Sequence, residues 1–154
     1  MGARSKRQTE LKIQSFLSQL RNYYKDRLVS VVLFGSVARG EETPESDIDI
    51  LIVARGLSRN YLERVEEIVK NINYGADIQP VILDVKEAST HRPLYLDIIE
   101  EGEILEDKNG FIAGIFERMK KRLRDLGTVK IKLDDGSWYW KVKPDIKYGE
   151  IVEI

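Results

Sequence analysis

A chain of 154 residues has room for one domain and at most a small appendage, since about 100 to 150 residues already bury a workable core. Its 25 Lys plus Arg against 26 Asp plus Glu leave a formal net charge of -1, which argues against a dedicated nucleic-acid binder. Cysteine is absent and His91 is the single histidine, so disulfides, thiol catalysis and zinc held by Cys or His clusters are excluded, and any metal must be held by oxygen.

The first residues carry charge without the apolar centre of a signal peptide, and no run approaches the ~20 apolar residues of a membrane span. The expectation is a soluble, cytoplasmic protein with no membrane contact. From residue 8 to 28, Leu11, Phe16, Leu20, Tyr23 and Tyr24 recur at near-helical spacing and predict an amphipathic helix that packs on a sheet. Leu28, Val29, Val31, Val32 and Leu33 then form a short apolar run rich in β-branched valine that ends at Gly35, which predicts a buried strand followed by a sharp turn. Residues 39–46 are polar, with Gly40, Thr43 and Pro44 as breakers, and read as a loop into a strand over 47–53.

Ser58 is placed to cap a helix reaching residue 73, with Leu62, Val65, Ile68, Val69 and Ile72 as its apolar stripe. A third strand over 76–83 contains Pro80, which cannot donate to a ladder and so belongs at an edge or a bulge. Helical signals return over 93–101, stopped by Gly102, and over 109–127, where Ile112, Ile115, Phe116, Met119, Leu123 and Leu126 share one face. The basic run Arg118, Lys120, Lys121, Arg122 and Arg124 of that last helix reads as a solvated face. Val129, Ile131 and Leu133, a turn at Asp134, Asp135 and Gly136, and then Trp138, Trp140 and Val142 predict a β-hairpin, with residues 150–154 as a final short strand.

Chemistry concentrates where the first two strands end. Ten residues separate the pair Gly35 and Ser36 from Asp47, with Asp49 two positions further on. Side chains at i and i+2 of a strand point to one face roughly 6 to 7 Å apart, so both carboxylates can converge on shared divalent cations. Gly35 lets the backbone approach a ligand, Ser36 at the following helical turn offers a hydroxyl and N–H groups to phosphate oxygens, and Arg39 is a charge-assisted phosphate donor. Ser46 is a further candidate contact, although a turn or cap role explains it equally. Two metals about 3.5 to 4 Å apart would bridge a triphosphate and stabilise the attacking and leaving oxygens of an in-line displacement, which is nucleotidyl transfer with pyrophosphate leaving.

Gly35-Ser36, ten residues, then Asp47-Ile48-Asp49 resembles the motif of the minimal nucleotidyltransferases of the DNA polymerase β superfamily. The resemblance runs from about residue 29 to 105, and Trp138 to Asp145 is similar to an extension of archaeal members. It implies an α/β (α+β) nucleotidyltransferase fold, a small mixed β-sheet flanked by helices, over residues 1–106, with a C-terminal helix and β-hairpin packed on the same domain over 107–154. It implies Mg²⁺, two ions in the active complex, on Asp47 and Asp49, with ATP as substrate bound at Gly35 and Ser36. A third carboxylate would complete the triad as ligand or general base; Asp77 is the candidate and Asp84 the runner-up.

Many short members of this family sit beside small helical HEPN proteins in toxin–antitoxin pairs and add AMP to a toxin tyrosine, so the resemblance implies a HEPN-type partner and a protein hydroxyl acceptor. The competing reading is a catalytically weak or silent nucleotide-binding antitoxin that acts by complex formation. A small-molecule transferase would need a larger acceptor domain, and an exposed C-terminal hairpin would point to a homodimer or a stable heterocomplex.

Overall fold

The structure, a computed structural model, describes residues 4–154. Helix α1 (Lys6–Tyr24) starts at a capping box in which Ser5 Oγ accepts the Gln8 N–H and Gln8 Oε1 accepts the Ser5 N–H. Its buried face is Ile13, Phe16, Leu17, Leu20 and Tyr24, at helical spacing, while Leu11 points out at 58% exposure. Strands β1 (Leu28–Phe34), β2 (Ile48–Ala54), β3 (Ile78–Asp84) and β4 (Glu103–Asp107) form one mixed sheet in the order β3-β2-β1-β4. β1 runs antiparallel to β2 and β4, and β2 parallel to β3.

Alternation of side chains divides the core in two. Val31, Leu33, Ile48, Ile50, Ile52, Ile78 and Ile82 face α1 and helix α3 (Tyr61–Asn71), whereas Val29, Val32, Leu51, Val53 and Leu83 face helices α5 (Tyr95–Glu101) and α6 (Phe111–Leu126). Each fully buried aliphatic side chain contributes about 1.5–3 kcal/mol. The two short helices are α2 (Gly35–Arg39), directly after β1, and α4 (Val85–Ala88), directly after β3. A two-stranded sheet, β5 (Val129–Lys132) with β6 (Trp138–Lys141), follows α6. Pro80 sits on an edge strand, as its missing donor requires.

Four sequence-based expectations shift. Asn60, not Ser58, caps α3, because the Ser58 hydroxyl is spent on Glu63. Leu62 and Val69 are 71% and 61% exposed while Arg64 is 3% exposed on the buried side, so the α3 stripe is narrower than its apolar residues suggest. Arg64 can be buried because it donates to the carbonyls of Ser58 and Ile82 and to Glu87, with Asp84 nearby. Helix α4 was not foreseen, and residues 150–154 form no strand; the terminus is held instead by Arg122 Nε donating to the Glu153 carbonyl and by Ile154 on the core.

Candidate active site

The antiparallel register of β1 and β2 pairs Phe34 with Asp49, which brings the residue after β1 against the head of β2. That residue is Gly35, with φ +77. A Cβ built there would overlap the Asp49 carboxylate, so only glycine supplies both the backbone angle and the clearance. α2 begins at this point and puts Ser36 and Arg39 on the same end of the sheet, and Gly40, in the left-handed region, ends it.

Asp47 is exposed and Asp49 half-buried. Burial first, then the charge of Asp47, pushes the Asp49 carboxyl above its ordinary range, and Arg39 partly offsets this. Asp47 and Asp49, at the head of β2, form an oxygen-only donor set, and a dication between them would offset the charge of Asp47 that adds to the cost of ionising Asp49. Mg²⁺ characteristically takes one or two carboxylates and fills its remaining positions with phosphate and water, so the residues present fit it.

Arg39 lies beside the pair. Its Nε donates to Glu41 at 3.1 Å and stands 3.5 Å from Glu101 of α5, and its guanidinium lies 4.9 Å from the centre of the Trp138 ring of β6. Ser46 closes the turn ahead of β2: its Oγ accepts the Thr43 N–H and its carbonyl accepts from Arg4.

Asp77 is brought next to the pair by its backbone but not by its carboxylate. Its carbonyl accepts the Ile48 N–H at 2.7 Å, one residue from Asp47 and Asp49. The side chain is bound by Lys12 at 2.6 Å and Arg4 at 2.9 Å. Burial alone would raise the Asp77 carboxyl; the bonds from Lys12 and Arg4 outweigh it and hold the group below the usual carboxylate range. Its Oδ1 is buried and without a partner. Among the described residues, no three Asp, Glu, His or Cys side chains converge as a ready metal site. Asp84 stands at the opposite end of β3, where it caps α4 and faces Arg64.

Arg4, Lys12, Asp97 and Glu101 carry no sequence signal that marks them for the site, and Trp138 is expected only as a strand residue of the hairpin. Arg4 contacts Asp77 across 73 residues of sequence, and no local pattern signals such a pair. The hairpin did carry a signal, the shared strand face of Trp138 and Trp140.

A family model described as nucleotidyltransferase domain matches residues 13–106. A Methanocaldococcus jannaschii protein named as a candidate protein adenylyltransferase is 28% identical over 138 residues, covering 84% of this chain and 91% of that protein. A second protein of that organism, named in the same way, is 31% identical over 98 residues, covering 62% of this chain and 96% of its own. The solved structure of a tri-AMPylated Shewanella oneidensis HEPN toxin in complex with its MNT antitoxin shares 18% identity, covering 77% of this chain and 92% of that one, with a TM-score of 0.47.

Proposed function

The chain belongs to the nucleotidyltransferase domain family, and on that premise we propose that it transfers AMP from ATP to a hydroxyl of a partner protein. The observation that carries the reading is the close apposition of Gly35 and Asp49, with Asp47 two residues before on the same strand head. The similarity to proteins named as adenylyltransferases of proteins supports the adenylyl group and the protein acceptor. An exposed Asp47 at the rim supports an acceptor that arrives from outside rather than one enclosed by this domain.

In this reading the triphosphate lies against Gly35 and the first turn of α2, where Ser36 and the backbone N–H groups bind its oxygens and Arg39 exchanges Glu41 for phosphate. Asp47 and Asp49 are the side chains that hold Mg²⁺, which when bound neutralises the triphosphate and activates the acceptor hydroxyl. The acceptor oxygen attacks the α-phosphorus, the bond to the bridging oxygen of the β-phosphate breaks, and pyrophosphate leaves. Asp77 is the candidate to join the pair as ligand or to take the hydroxyl proton, after exchanging its bonds to Lys12 and Arg4. The acceptor we favour is a tyrosine of a small helical HEPN-type partner, the pairing that the family resemblance implies, with this chain as antitoxin.

One observation favours the second reading, a catalytically silent antitoxin that acts by complex formation: the Asp77 carboxylate is committed to two cations. Incubation with α-labelled ATP, Mg²⁺ and a small helical protein encoded beside this chain tests both. Label on the partner, lost with Asp47→Asn plus Asp49→Asn, supports transfer. Tight partner binding with no label from any of the four nucleotides would sink it in favour of the silent subunit.

A further inference from the structure

The family model ends at residue 106, yet the hairpin beyond it reaches back to the site. One carboxylate docks it: Asp97 Oδ1 in the first turn of α5 accepts both indole N–H groups, from Trp138 at 2.8 Å and Trp140 at 2.9 Å. Register explains why both arrive together, since Lys130 pairs with Trp140 and Lys132 with Trp138, which places both indoles on one face of the hairpin. Lys130 completes the joint, 3.6 Å from Glu100, 3.5 Å from Glu101 and 4.4 Å from the centre of the Trp138 ring.

Glu101 and Trp138 are thus shared between this joint and Arg39. The two supports act differently. A carboxylate satisfies the guanidinium donors and competes with phosphate for them. An aromatic ring attracts the cation while leaving those donors free. Glu41 and Glu101 both meet Arg39 at Nε, whereas the ring goes on holding it whichever of its N–H groups turn to a triphosphate, and an arginine held in place loses less side-chain freedom on binding.

We propose that the C-terminal hairpin is a working wall of the nucleotide site, in which Trp138 is the positioning residue that orients Arg39 toward the triphosphate. This rests on the reading of Arg39 as a triphosphate donor. Trp138 itself touches no phosphate, and its effect passes through Arg39.

Calorimetric titration of Mg–ATP into the full chain and its variants tests this. Trp138→Ala is expected to weaken binding about fivefold, Trp138→Phe to keep most of it, and Trp138→Ala to add nothing in an Arg39→Ala background. If Arg39→Ala weakens binding and Trp138→Ala does not, or if the two losses simply add, the inference is overturned while the role of Arg39 stands. If neither weakens binding, both fall. Should Trp138→Ala fail to fold, Trp140→Phe leaves Trp138 as the only indole. Its emission must then shift on Mg–ATP binding and lose that shift with Arg39→Ala; unchanged emission during calorimetrically observed binding overturns the proposal.

Discussion

Gly35 and Asp49 are packed so closely that a single methyl group on the first would occupy the space of the second's carboxylate. Gly35→Ala therefore has two costs: backbone strain at φ +77, about 1–2 kcal/mol, and displacement of a proposed metal ligand. Nucleotide transfer is expected to fall at least about a hundredfold while the fold survives. A thermal melt beside the labelling assay checks this, and Gly40→Ala is the control, since a Cβ there meets nothing although its φ is also positive. Equal loss of activity in both variants would mean that strain, not the carboxylate, matters.

Asp49 is more costly ionised in the fold than in the unfolded chain. Its folded pKa is raised, chiefly by burial and then by Asp47, so its contribution to stability is full below the unfolded value of about 3.9 and is lost as pH rises through the folded value. Asp49→Asn should then melt higher than the native protein at pH 7, by an amount on the order of 1 kcal/mol, while losing activity. The difference should close as the pH falls toward 3.9 or so. Added Mg²⁺ should raise the melting point of the native chain and not of the variant. A variant that melts lower at pH 7 would show that Asp49 is held by interactions beyond these.

Much of the site was legible because it is local. Gly35, Ser36, Asp47 and Asp49 lie within one strand–turn–strand segment, where period and spacing carry the geometry. Less legible was whatever depends on partners distant in sequence. Arg64 reads as a surface residue of α3 until Asp84 and Glu87, the latter 23 residues further on, are folded against it. The α3 stripe depends on distant partners too, and Val69 and Leu62 stay exposed. Asp77 is expected inside the third strand and stands in the turn one residue before β3, and the direction of its side chain depends on Arg4 and Lys12, which no pattern near Asp77 reveals.

Asp84 and Arg64 belong to the frame, not to the chemistry. Asp84 Oδ1 accepts the Glu87 N–H at 2.7 Å and Glu87 Oε1 accepts both from Arg64 and from the Asp84 N–H, so a buried cation ties α3, β3 and α4 together. Removing it leaves the Ser58 and Ile82 carbonyls without their donor and the two carboxylates, themselves partly exposed, without their cation, a loss of about 1–3 kcal/mol for Arg64→Ala. Asp84→Asn should cost about 1 kcal/mol of stability and leave transfer within about twofold of native, because the cap tolerates Asn and the site is at the other end of β3. Denaturant melts and initial rates measure the two quantities separately. Loss of transfer with full stability in Asp84→Asn would return Asp84 to the candidate site.

Asp77 is where structure and chemistry are coupled, and two variants separate them. Its folded pKa is lowered: burial opposes this, and the bonds from Lys12 and Arg4 prevail. The stability it contributes is therefore present above the unfolded value of about 3.9 and is lost as pH falls through the folded value. Asp77→Asn should destabilise the chain by about 1–3 kcal/mol at pH 7, and the deficit should vanish in acid. Lys12→Ala with Arg4→Ala breaks the same contacts but keeps the carboxylate. If Asp77 completes the metal site, transfer falls at least about a hundredfold with Asp77→Asn yet persists, or rises, when the two cations are removed and the carboxylate is free to turn toward Asp47 and Asp49. If Asp77 only anchors α1 and the turn at Ser46, both variants lose stability alike and lose transfer only in proportion to the protein that unfolds. Rates normalised to the folded fraction, taken across a Mg²⁺ titration, distinguish the two outcomes, since only a ligand changes the magnesium dependence.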